Sequence, residues 1–148
     1  MRKKNLFFIL PIILVGLNGC AQTTEFVKVI LGNTTKTLEK ERVNAITRTY
    51  QCDIDDCFDA VLSLARDQKQ LEPRTEKFFE VFMKNRVKSY IIVMGVAGNI
   101  ETTEVGIFFS RRSANIFNVE ITSLSSSAKR RVAQAVFSEL NLRFSQVE

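Results

Sequence analysis

Hydrophobic and polar positions follow several different rhythms along this chain, and each rhythm marks an element. Leu6 to Leu17 is a nearly unbroken apolar run, interrupted by Pro11 and Gly16 and preceded by Arg2, Lys3 and Lys4. A polar stretch, Gln22 to Glu25, separates it from a short apolar patch of Phe26, Val27, Val29, Ile30 and Leu31, which Gly32-Asn33 closes as a turn or helix stop. A short helix is expected from Thr35 to about Arg42, with Thr34 as cap candidate and Leu38 turned inward. Val43 to Cys52, with Thr47, Thr49 and Tyr50, favours an extended strand. Asp53 then opens a helix in which Ile54, Phe58, Val61, Leu62 and Ala65 keep the 3.6-residue spacing of one apolar face, expected to end near Gln70 before Glu72-Pro73.

From Phe78 the period shifts to two. Phe79, Val81 and Met83 share one face of a first strand and Tyr90, Ile92, Met94 and Val96 one face of a second, with a hairpin turn at Lys84-Asn85-Arg86. Gly95 and Gly98-Asn99 end the second strand. Val105, Ile107 and Phe109 line a third strand, Ser110 to Ser113 turns, and Phe117, Val119 and Ile121 line a fourth. Ser125 caps a last helix whose inward positions are Ala128, Val132, Ala135, Val136 and Leu140, flanked by Phe137 and Phe144. Short loops imply antiparallel neighbours. The order β-α-β-β-β-β-α therefore predicts an α+β fold: an antiparallel sheet of about five strands with helices packed on one face. Three parts are expected: a leader over 1–19, a tether with short helices over 20–42, and a single α+β domain over 43–148.

The N-terminal rhythm has the layout of a signal peptide, because an apolar run of about a dozen residues broken by proline is too short for a membrane span of ~20. It closes with Leu17-Asn18-Gly19-Cys20. These four residues, behind a basic and then apolar N-terminus, resemble the lipobox of bacterial lipoproteins, although Asn18 is a less usual residue at its position. The resemblance implies thioether lipidation of Cys20, cleavage before it, and acylation of its new amino group. It also implies that the membrane is a partner through covalent lipid, two or three acyl chains giving stable anchoring. For a Gram-negative host, Ala21 after the cysteine resembles the outer-membrane sorting signal, which implies a domain facing the periplasm. The mature strand-helix and hairpin-helix units, Tyr50 to Ala65 and Thr103 to Leu140, resemble in order the helix-grip-like modules of small outer-membrane-associated lipoproteins, including accessory lipoproteins of β-barrel assembly.

Charge changes meaning once the leader is set aside. The full chain of 148 residues carries +5, but three of its cations and none of its anions lie before Cys20. The remaining chain holds 18 basic and 16 acidic residues, a net of +2. Nucleic acid is therefore not an expected partner. With no histidine in the chain, Ser-His-Asp and Cys-His devices cannot be assembled, and no cofactor, metal site or enzymatic activity is expected. Ser126-Ser127-Ala128-Lys129 has Ser-x-x-Lys spacing, but it falls in a helix cap without the companion motifs of that chemistry. Asp53, Asp55, Asp56 and Asp59 lack the central glycine and alternating ligands of a calcium loop and suit the first turns of a helix instead.

Two candidate constellations remain. With Cys20 assigned to lipid, Cys52 and Cys57 are left as a pair that flanks the Asp53 cap at the two positions of a hydrophobic staple. In a compartment that permits disulfides they can close a bond fixing the entry of the helix, with packed free thiols or a redox pair as alternatives. Lys129, Arg130 and Arg131 stand in the first turns of the last helix, the unfavourable end for cations, beside serines and free amides. With Arg111 and Arg112 they are the candidate positions for binding an anion or a partner, against the alternative of a solvated basic face. The chain thus reads as a lipid-anchored envelope protein with a non-catalytic binding or assembly role and an envelope protein as possible partner; the alternative is a module holding a small apolar or anionic ligand in a groove between sheet and helix.

Overall fold

The computed structural model describes residues 34–65, 78–97 and 103–148. Cys20, the leader, the tether up to residue 33, Gln70, Glu72-Pro73 and Gly98-Asn99 lie outside them. A compact unit spans Thr35–Glu148. Helix α1 (residues 34–40) runs into a 3-10 turn at Glu41–Asn44, followed by β1 (Ile46–Gln51), α2 (Ile54–Ser63), β2 (Glu80–Asn85), β3 (Tyr90–Met94), β4 (Val105–Ser113), β5 (Ile116–Thr122), α3 (Ser126–Arg143) and β6 (Ser145–Val147). The six strands form one antiparallel sheet in the order β2-β3-β4-β5-β1-β6. The α+β class read from the periodicities is the observed one. β6 adds a three-residue strand that pairs with the outer edge of β1 at Thr49 to Gln51.

The main core lies between the sheet and the pair α2 and α3. Phe58, Val61 and Leu62 of α2 and Val132, Val136, Phe137 and Leu140 of α3 meet Tyr50, Ile91, Val93, Val105, Ile107, Phe109, Phe117, Val119 and Ile121 from the strands. Burying one such side chain is worth about 1.5–3 kcal/mol, so this layer supplies most of the drive to fold. The helices start where side chains accept the free amides of their first turns: Asp53 accepts from the Asp55 N–H at 2.9 Å and Ser125 from the Ala128 N–H at 3.3 Å. α2 ends at Ser63, whose hydroxyl donates back to the Ala60 carbonyl at 2.6 Å, and its next residue, Leu64, accepts from the Phe78 N–H at 3.0 Å. The helix is thus shorter than the apolar pattern through Ala65 suggests.

A second, smaller cluster lies on the opposite face, where Leu38 of α1 packs among Tyr90, Ile92 and Phe108, with Met83 beside them. Leu38 is the inward residue expected of the short helix, and its carbonyl accepts from the Thr122 hydroxyl at 3.2 Å. The compact unit therefore begins at Thr35, eight residues before the expected start of the domain at Val43. Gly106 makes room for this packing, since a Cβ there would stand 2.5 Å from Phe108 Cε2 and 3.0 Å from Thr122 Oγ1.

Two expected faces are split by local irregularity. A bulge between Val81 and Met83 breaks the alternation of β2, so Val81 joins the helix-side core and Met83 joins the Leu38 cluster. Likewise Tyr90 and Ile92 face Leu38, whereas Val96, beyond the left-handed Gly95 (φ 61°), returns to the helix side. The β4–β5 turn falls at Ala114-Asn115, beyond the expected Ser110 to Ser113, because β4 continues through Ser113 with its own bulge. Among the described residues no helix is long and apolar enough to cross a membrane.

Candidate functional site

Cys52 and Cys57 are joined in the structure as a disulfide, with S–S 2.02 Å and Cα–Cα 6.1 Å. Both are buried, and Cys57 is fully so. The bond ties the end of β1 to the first turn of α2, which is also held by the Asp53 cap and by the Cys57 N–H donating to the Asp53 carbonyl at 3.0 Å. Across the sheet Arg86 reaches the same helix turn, donating to Asp55 at 2.7 Å and to Asp59, with its guanidinium over the Phe58 ring. Hydrogen bonding to Asp59 first, and then to Asp55, raises the Arg86 pKa. Asp53 thus acts as the cap of α2 and Asp55 and Asp59 as its ion-pair residues; among the described residues no cluster of side chains is arranged to hold a metal ion.

The five cations singled out by sequence are not brought together. Arg111 and Arg112 lie near the β4–β5 turn, Arg111 stacked over Phe117. The last helix begins at the other end of the sheet, where the Ser123 hydroxyl donates to the Glu104 carbonyl just before β4. Eight residues of strand at about 3.3 Å each separate those ends by roughly 25 Å. Lys129, Arg130 and Arg131 also diverge among themselves. Lys129 donates to the Asn44 carbonyl at 2.8 Å, Arg131 lies 3.4 Å from the Ala97 carbonyl, and Arg130 points to a third direction, into a groove.

That groove runs between β1 and α3, with a volume of about 270 Å³, and its floor and walls are Ile46 and Arg48 of β1 with Arg130, Ala133, Phe137 and Ser138 of α3. Arg48 escaped the sequence reading although it carries a signal: it alternates with Ile46 and Tyr50 on the helix-side face of its strand, yet remains exposed there. Its guanidinium lies 4.9 Å from the Phe137 ring centroid. It also touches the Tyr50 hydroxyl, whose pKa burial raises and Arg48 partly pulls back. Tyr50 donates in turn to Asn141 at 2.9 Å. No acidic side chain lines the groove. On the far face, by contrast, Arg42 donates to Glu120 at 2.6 Å and stacks over Phe108. Burial pushes the Glu120 carboxyl up, but hydrogen bonds from Arg42 and Ser110 outweigh it and hold the group below its ordinary value.

The chain matches no protein-family model and no curated protein. Its chemistry must be argued from its own residues. The buried face between sheet and helices is occupied by side chains, and every buried side-chain nitrogen and oxygen among the described residues has a partner. A second, polar groove lies on the other flank of α3, lined by Phe78, Arg131, Gln134, Ala135 and Ser138.

Proposed function

We propose that this chain is a lipid-anchored protein of a bacterial envelope, held to the membrane through acylated Cys20, whose domain works by binding and not by catalysis. The observation that carries the reading is the Cys52–Cys57 disulfide. A disulfide persists in an oxidising compartment outside the cytoplasm, and this bond uses both cysteines other than Cys20. That pairing agrees with a leader ending in Leu17-Asn18-Gly19-Cys20. The histidine-free chain and the side-chain-filled core support a surface role, in envelope assembly or in contact with another envelope protein.

The test is Cys20→Ser. The variant should move from the membrane to the soluble fraction or remain unprocessed, and incorporation of labelled lipid should be lost; unchanged lipid labelling would overturn the assignment. The second reading, a small ligand held between sheet and helix, is favoured by one observation, the β1–α3 groove with Arg48 and Arg130 in its lining, which suits an anionic group over an apolar one.

A further inference from the structure

The groove beside β1 coincides with a break in the sheet edge. The Cys52 N–H donates to the Asn115 carbonyl, toward β5, and inward and outward bonding alternate along an antiparallel strand. Tyr50 and Arg48 therefore bond toward β5, while Thr49 and Thr47 face outward. β6 covers the outward edge from Thr49 to Gln51 only, so the N–H and C=O of Thr47 point off the sheet beyond the reach of β6. Ile46 and Arg48, its two neighbours, turn their side chains into the groove. The outer edge of β2 is less inviting, because the bulge between Val81 and Met83 disrupts its row of backbone groups and Lys84 and Glu80 guard it with charge. Among the described residues only the Ile46–Arg48 edge joins unpaired backbone to a side-chain groove.

The groove's charge indicates what would fit. Arg48 and Arg130 form no salt bridge among the described residues, and no carboxylate contributes to the lining. Glu148, the residue after β6, is exposed and pairs with neither. We infer that this edge docks a short extended acidic segment of a partner protein, which adds to β1 through the Thr47 backbone and places carboxylates beside Arg48 and Arg130, with an apolar side chain against Ile46 and Phe137. Main-chain pairing supplies affinity and alternate side-chain positions supply selectivity, as in strand addition to an open edge. The inference deepens the binding role proposed above and rests on it.

The test uses the acylated chain in nanodiscs of neutral phosphatidylcholine, with acylation read by mass, so that loss of peptide binding by an acylated chain overturns the groove reading alone. The probe is a dye-labelled hexapeptide alternating valine and glutamate, followed by fluorescence anisotropy and by hydrogen exchange. A dissociation constant of about 0.1–1 mM is expected for so short a ladder. Binding should slow exchange of the Thr47 amide, weaken about tenfold in Arg130→Glu and in Arg48→Gln, and stay unchanged in Arg112→Glu at the opposite end of the sheet. The valine-lysine analogue and a backbone N-methylated valine-glutamate peptide should both fail to bind. Equal binding of the N-methylated peptide would overturn strand addition, and so would slow exchange of the Thr47 amide in the free protein, which would mean that the edge is already occupied; the Ile46 and Arg48 amides, bonded toward β5, serve as protected references. Displacement of the peptide by free glutamate or by phosphatidylglycerol vesicles at matched charge would overturn a peptide in favour of a small anion or a lipid surface.

Discussion

Opening the Cys52–Cys57 bond is a perturbation whose size follows from chain statistics. The bridged residues are five apart in sequence, so the bond closes one of the shortest loops a disulfide can make. On the loop-entropy account a loop of this length removes about 7 cal/mol/K from the unfolded ensemble, or about 2 kcal/mol at 25 °C. The folded side loses little of its own, because Asp53 still caps α2 and Arg86 still ties Asp55 and Asp59 to the β2–β3 hairpin. Reduction should therefore lower stability by about 2 kcal/mol without unfolding α2. For a unit of this size that is a fall in Tm of roughly 8 °C. The assay is urea or thermal unfolding followed by circular dichroism, with and without reductant, beside a Cys52→Ala/Cys57→Ala variant that cannot form the bond. Reductant should lower the stability of the native chain and leave the double variant unchanged. Mass spectrometry of the unreduced protein should find the two residues linked. Two freely alkylated thiols, or a native chain whose unfolding ignores reductant, would refute the reasoning.

The remaining predictions concern the opposite face of the sheet. Gly106→Ala should cost about 1–3 kcal/mol in chemical denaturation, since the new methyl must displace the Phe108 ring and the Thr122 hydroxyl that holds the Leu38 carbonyl. Leu38→Ala should cost about 2–3 kcal/mol, and hydrogen exchange should show protection lost over residues 34–44 while the β4–β5 hairpin keeps its own. Glu120 gives a pH dependence: its folded pKa is lowered, so its contribution is present above the unfolded value of about 4.3 and drains away as pH falls through the folded value. Because the pair is partly exposed the amount is about 1 kcal/mol, and Glu120→Gln should flatten the acid side of the stability curve by that much.

Periodicity exposed the fold because most elements here are long enough to average over local exceptions. The inward residues of β4 and β5 alternate without interruption through Val105, Ile107 and Phe109 and through Phe117, Val119 and Ile121, so their shared face was readable. The alternation failed at Met83 and Val96 for the same kind of reason. One bulge and one left-handed glycine each change the count of residues per face, and a single inserted residue sends every later side chain to the other side. The second packing face was half visible: Leu38 stood out as inward, but the patterns of β3 and β4 read as one-sided because the residues facing Leu38, Ile92 and Phe108, alternate with residues that are just as apolar. β6 left no trace, three residues being too few to show a period.

The candidate site was less legible because adjacency in a helix sequence is not convergence in space. Successive residues turn by about 100°, so Lys129, Arg130 and Arg131 leave the helix in three directions. Two of them are already engaged with the backbone carbonyls of Asn44 and Ala97, at opposite sides of α3. Arg130 instead converges with Arg48, an exposed residue on another element that stands on the helix-side face of β1 at the rim of the groove. A charge there would ordinarily discourage pairing at a sheet edge. Here the guanidinium is drawn aside onto Phe137, leaving the Thr47 backbone clear, so the same residue that protects the edge from an indiscriminate strand can favour one bearing carboxylates.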